Sequence, residues 1–220
     1  MAEKRTTTRE PVTDRLIDTA SALFYQEGIQ SVGVQRVIDE AGIAKASLYA
    51  HFPSKDDLVA ACLERRAASW QEIVQREVLD TPLDARAKLL TLFDRLADWV
   101  ASEDFRGCPF QNASSELADV SHPARAVVER QRVWLHALLR GLVEEAGLRP
   151  VDGVTGALLV LHAGATAAAQ SAQSPQPGLD ARWAAERIIE ASAPPEAASP
   201  PDRTARAERP GTATPSPGAG

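Results

Sequence analysis

Cysteine is scarce in this 220-residue chain: only Cys62 and Cys108 occur, too few for a disulfide scaffold, and the pattern fits a reducing compartment. The first ten residues, MAEKRTTTRE, carry no apolar core of the kind a secretory signal needs. The longest apolar run, from Gly156 to Ala169, is interrupted by His162 and falls short of the ~20 residues of a membrane span. No stretch alternates apolar and polar residues for long enough to suggest a sheet. Strong positive charge is missing too. The net charge is −6; residues 1–60 hold 7 basic and 9 acidic side chains, and residues 193–220 hold 3 of each. On composition alone this argues against a nucleic-acid partner, whose usual sign is a basic footprint. The composition is otherwise that of a soluble globular protein with a core of ordinary size, and a cytoplasmic location is expected.

Four segments emerge. Residues 1–10 form a short, locally positive arm with Lys4, Arg5 and Arg9. Residues 193–220 contain 7 of the 15 prolines and no Tyr, Phe, Trp, Leu, Ile or Val. Nothing in them offsets the entropy of ordering, so they read as a disordered Pro/Ala-rich tail. Between these ends, apolar residues recur at three- and four-residue spacing, giving an all-α chain of about nine helices. A three-helix unit over residues 11–56 precedes a larger helical domain over residues 57–192.

The first helix is expected from Pro11 or Thr13 to Glu27, with Leu16, Ile17, Ala20, Leu23 and Phe24 on one face and Gly28 as its stop. Short helices follow at Val34–Ala41 and Lys45–His51. Ser54, with Asp57 three residues on, predicts a capping box opening a long helix to about Val78. Further helices are expected over about 83–102, from Pro109 to about Ala118, from Pro123 to Gly147, and over about 152–171 and 179–192.

Val34 to Lys55, VQRVIDEAGIAKASLYAHFPSK, carries the chemistry. Two short helices joined at Gly42–Ile43–Ala44 match a helix-turn-helix. Ala41 is small where the helices cross, and Gly42 takes a turn conformation costly for other residues. Val37, Ile38, Ile43 and Leu48 are apolar for packing on the first helix. The remaining face of the second helix, with Lys45, Ala46, Ser47, Tyr49 and Ala50, is polar or small enough to enter a major groove.

Together with Leu23-Phe24, Gly28, His51-Phe52, Ser54-Lys55 and Leu58, this pattern resembles the TetR family of bacterial transcriptional regulators. The resemblance is dense over residues 13–60, and the helical remainder fits the family's ligand-binding and dimerisation domain. It implies a homodimeric, ligand-responsive DNA-binding regulator, most simply a repressor released from double-stranded operator DNA by a small-molecule effector. DNA contacts are implied at Val34, Gln35, Ala44, Lys45, Ala46, Ser47, Tyr49 and His51, and a phosphate contact at Lys55, where a helix N-terminus itself favours anions. Tyr49 could instead pack the third helix on the first, His51 could cap its own helix, and Phe52 reads as core. Gly33 and Ala44 stand where Ser or Thr usually caps a helix, and Ala46 replaces a common glycine.

A second segment, Phe105-Arg106-Gly107-Cys108-Pro109-Phe110-Gln111-Asn112-Ala113 with Glu116 and His122-Pro123, resembles a TetR subgroup that includes LmrA- and YxaF-like regulators. This implies a turn beside the ligand cavity and an aromatic or drug-like effector. Candidate pocket residues are Trp70, Phe93, Trp99, Phe110, Asn112, Trp134 and His162, aromatic or lone polar groups on apolar faces; for the tryptophans the competing reading is plain core. The small residues Gly156, Ala157, Ala163, Gly164, Ala167 and Ala168, with Trp183, Ala184, Ile188 and Ile189, suggest dimerisation through residues 152–171 and 179–192.

The scattered His51, His122, His136 and His162 make no metal site, and no cofactor or catalytic residue is expected. An enzyme using Cys108 with His122 or Asp119 would leave residues 34–55 unexplained. A ligand-independent activator or architectural DNA binder is the nearer alternative.

Overall fold

The computed structural model describes residues 12–194; the positive arm and nearly all of the Pro/Ala-rich tail lie outside them. Among the described residues there are nine α-helices and no strand. They are α1 (Val12–Glu27), α2 (Val34–Ala41), α3 (Lys45–His51), α4 (Lys55–Val74), α5 (Ala85–Val100), α6 (Pro109–Glu116), α7 (Pro123–Glu145), α8 (Val151–Ala172) and α9 (Gln176–Ala191).

The helices begin where side chains can satisfy free amides. Ser54 accepts from the Asp57 amide at 3.1 Å while the Asp57 carboxylate accepts from the Ser54 amide at 3.1 Å, so the capping box forms. Asp84 caps α5, and the His122 ring caps α7 through the Ala124 amide. By contrast, Gly33 and Ala44 make no side-chain cap at α2 and α3.

Several helix boundaries differ from the sequence expectation by one to three residues, α5 and α6 among them, and three differences bear on the fold. The long fourth helix passes into a π-turn, Gln75–Leu79, and Val74 and Val78 on its inner face are both buried. α9 starts three residues early because Pro177 fits a first helical turn, where no amide is needed. α8 runs for 22 residues and is, among the described residues, long and apolar enough to cross a membrane. It takes in Val151, Val154 and Thr155 ahead of the apolar run, so the run alone understated it.

Two apolar cores organise the chain. The first joins Leu16, Leu23 and Phe24 of α1 with Val37, Ile38, Leu48 and Phe52, and it continues through Leu58, Val59, Cys62 and Leu63 of α4. It also takes Ala113 and Leu117 beside α6 and Ala124 and Val127 of α7. The helix-turn-helix unit is therefore seated on α4, α6 and the start of α7. The second core holds Leu89, Leu92, Phe93 and Leu96 of α5 against Leu139, Leu142 and Val143 of α7, Leu158 of α8, and Ala185 and Ile189 of α9. At about 25 cal/mol per Å² of apolar surface, a fully buried Leu or Phe contributes roughly 1.5–3 kcal/mol, so both cores are substantial. Gly178 lets α9 close on α5: a Cβ there would lie 3.0 Å from the Ala97 Cα.

Candidate nucleic-acid interface and its junction with the larger domain

The α2–α3 turn follows from its residues. Gly42 adopts φ +61°, ψ 44°, and its amide donates to the Asp39 carbonyl while the Ile43 amide reaches the Ile38 carbonyl. This ends α2 in the left-handed conformation that glycine tolerates best. Val37, Ile38 and Leu48 face inward and are buried. Ala44, Lys45, Ala46, Tyr49, Ala50 and His51 are exposed, so one surface of α3 is free and either small or hydrogen-bonding.

The side chains proposed for DNA contact stand in four different environments. Lys45, Ala46 and Tyr49 project from α3; the Lys45 ammonium lies 5.9 Å from the centre of the Tyr49 ring, and Tyr49 is 44% exposed rather than packed on α1. Gln35 is exposed but donates to Asp39 at 2.8 Å, while Ser47 is half-buried. Val34 is partly buried and packs against the first core. His51 neither stands free nor caps α3: its Nδ1 lies 3.2 Å from the Thr13 hydroxyl, and the helix ends on the Phe52 amide. Phe52 is core.

Lys55 is more engaged than the sequence implies. Its Nζ donates to the Ile29 carbonyl at 2.6 Å and lies 5.8 Å from the Phe24 ring centre. An ammonium has three donors, so two remain for a phosphate. The lysine thus anchors the α1–α2 connection and marks the N-terminus of α4 at once.

The candidate pocket residues do not converge on one cavity. Phe93 is fully enclosed in the second core, a packing residue. Trp70, Trp99 and Trp134 are partly buried against that core, whereas Phe110 packs against the first. The His162 ring meets Phe93 edge-on at 6.3 Å; it is partly buried, and loss of hydration pulls its pKa down to about 4, leaving it neutral. Asn112 lines two cavities. One is a small space of about 50 Å³ between α1, α4 and α6, walled by Phe24, Tyr25, Ile29, Cys62 and Leu63. The other is an open cleft of about 860 Å³ between the end of α1, the α5–α6 turn, α6 and the end of α8. Phe105, which stacks edge-on with Trp99 at 5.1 Å, forms part of its wall.

The contacts at this junction join residues of the second segment, Gly107, Glu116 and His122, to Tyr25, Gln30 and Asp56; to these three and to Arg65 the sequence reading gave no role. Glu116 of α6 accepts from the Gln30 amide at 2.9 Å. Arg65 of α4 pairs with Asp14 and Asp18 of α1, and His122 Nε2 lies 3.2 Å from the Asp56 carboxylate. The hydroxyl of Tyr25 lies between the Arg106 amide and the Gly107 carbonyl. Cys108 is the N-cap residue of α6; burial pushes its thiol pKa up, while burial pushes the Cys62 thiol up to about 11. Among the described residues no group of side chains is arranged to hold a metal.

Residues 16–62 match the family model described as bacterial regulatory proteins, tetR family. The structure of SCO4454, a TetR-family transcriptional regulator from Streptomyces coelicolor, superposes with a TM-score of 0.78 at 30% identity, over 83% of this chain and 96% of that one. The chain belongs to the TetR family. It is accordingly a helix-turn-helix transcriptional regulator. Other TetR-family relatives include the repressor KstR2 of Mycobacterium tuberculosis, 28% identical over 140 residues, which span 61% of this chain and 68% of KstR2. The regulator YxaF of Bacillus subtilis is 26% identical over 140 residues, 63% of this chain and 73% of YxaF. These two matches have similar depth, so the chain is assigned to the TetR family as a whole and not to a subgroup.

Proposed function

We propose that this protein is a homodimeric, cytoplasmic repressor that leaves its operator when a small molecule binds in or beside the larger domain. The observation that carries this reading is the α2–turn–α3 unit: its apolar side is locked into the first core while Lys45, Ala46 and Tyr49 remain outward. Two copies of α3 would read successive major grooves ~34–36 Å apart. The likeness to KstR2, a protein named as a repressor, supports the direction of control.

α8 and α9 supply the dimer surface. Val160 of α8 is 73% exposed and Trp183 of α9 is 65% exposed, with Gly164, Ala167 and Ala168 allowing close helix approach. An exposed tryptophan beside a small-residue stripe is costly unless covered. This is also our reading of the long apolar helix, as a face for a second copy and not for lipid.

The effector region we assign is the junction lined by Asn112. Phe24, Tyr25 and Phe105 give it aromatic walls, which suits an aromatic compound. At this junction the His122 ring contacts Asp56 and caps α7 through the Ala124 amide, and Asp119 accepts from Ser121, contacts that hold the α6–α7 connection in shape. Gel shift of purified protein with DNA from upstream of its own gene tests the function. A shift that is abolished by Tyr49→Ala with Lys55→Ala is expected; no shift of any promoter fragment at low salt overturns the reading.

A further inference from the structure

Three helices are tied to one peptide turn. The Arg106 carbonyl accepts from Asn112 Nδ2 of α6 at 2.9 Å and from Gln170 Nε2 of α8 at 3.0 Å. Gln170 Nε2 also lies 3.2 Å from Asn112 Oδ1. On α1, the Tyr25 hydroxyl accepts from the Arg106 amide at 2.8 Å and donates to the Gly107 carbonyl at 3.0 Å. The Arg66 guanidinium covers the Tyr25 ring at 5.1 Å and holds it in place.

Gly107 is needed here for two reasons. Its φ is +87°, and a Cβ would sit 2.2 Å from Gln170 Oε1. The Gln170 amide therefore occupies the space that any other residue would fill. Tyr25 belongs to the last turns of α1, against which α2 and α3 pack, while Gln170 belongs to α8, the helix assigned above to the dimer. The 106–107 turn thus gives a hydrogen-bonded route from the DNA-reading unit to the helix that meets the second copy.

We propose that Tyr25, Asn112 and Gln170 form a latch on the Arg106–Gly107 turn that fixes the angle of the DNA-reading unit to α8, and with it the separation of the two α3 helices in the dimer. This rests on the regulator reading. The three are positioning residues and touch no DNA. A released latch lets each reading unit swing, so affinity for the preferred half-site spacing falls while tolerance of other spacings rises.

The test uses the full-length protein and the duplex it selects from a random double-stranded library. Affinity is compared for that duplex and for the same duplex with one base pair inserted between its half-sites, which shifts them by about 3.4 Å and about a tenth of a turn. Wild type should lose about tenfold or more on insertion. Tyr25→Phe, which keeps the ring, and Gln170→Ala, at an exposed position, should each bind the selected duplex roughly 3- to 10-fold more weakly, the scale of one or two hydrogen bonds. In both, the insertion penalty should shrink to about two- or threefold, with the slope of affinity against salt unchanged because no phosphate contact is lost. Gly107→Ala, which displaces the Gln170 amide and strains a turn at φ +87°, should shrink the penalty at least as far as Gln170→Ala does. An unchanged penalty in both single variants overturns the latch, as does a reduced salt slope. If wild type selects no duplex, the regulator reading fails and the latch falls with it; selection with unchanged penalties condemns the latch alone.

Discussion

Tyr49 and Lys55 do different work, and substitution should separate them. Tyr49 is exposed on α3 and makes no hydrogen bond among the described residues, so Tyr49→Ala should weaken binding to the selected duplex by about 1–3 kcal/mol while leaving the denaturant midpoint nearly unchanged. Lys55 holds the Ile29 carbonyl as well as facing the α4 terminus. Lys55→Ala should therefore lower the salt slope by about one and also cost about 1 kcal/mol of stability, measured by urea unfolding. A salt slope equal to wild type would remove Lys55 from the phosphate contacts. His162 gives a pH prediction. Its pKa lies near 4 in the folded protein and near 6.5 when unfolded, so the unfolded state takes up the proton first as pH falls. Stability should drop from pH 6.5 toward pH 4, by roughly 2 kcal/mol at pH 5, and His162→Phe should remove most of that drop. Residues whose role is local could be read from the sequence: Phe52 as core, Asp57 as the partner of Ser54, Gly42 as the turn. Tyr25 could not, because its hydroxyl is bound by a turn 81 and 82 residues further along.

The helices were largely legible, since apolar spacing and capping residues act within one turn. The two uncapped starts make a prediction at this scale. Gly33 has an extended φ of −81° and no atom within 4 Å of where its Cβ would be. Gly33→Ser should stabilise the protein by up to about 1 kcal/mol, by adding a cap and reducing unfolded-state freedom; a lower urea midpoint would contradict this. At the α5–α9 crossing, Gly178→Ala should destabilise by about 1–3 kcal/mol because its methyl meets the Ala97 backbone, which cannot step aside cheaply. The π-turn after α4 was not legible: Gln75–Leu79 reads as ordinary helix, and nothing in its apolar spacing marks the wider winding. An aromatic residue on an apolar face announces burial but not what it is buried against: Phe93 is enclosed in the second core and Trp134 packs partly buried against it.

Across the whole molecule, two cores divide the work: one seats the helix-turn-helix on α4, α6 and α7, and the other builds the bundle that ends in α8 and α9. The acidic balance that seemed to speak against DNA belongs mainly to the second part, and the DNA-reading surface rests on few groups: Lys45, Tyr49, Lys55 and helix termini. Trp183→Arg together with Val160→Arg should convert the dimer to monomer at micromolar concentration in sedimentation velocity, with helicity retained; a surviving dimer would move the interface elsewhere. The central claim, that a pair of α3 helices reads double-stranded DNA, is tested most directly by selection from a random duplex library at low salt. Wild type should enrich two inverted half-sites about one helical turn apart, and the Tyr49→Ala, Lys55→Ala double variant should enrich nothing. No enrichment by wild type, or equal enrichment by the double variant, would contradict it.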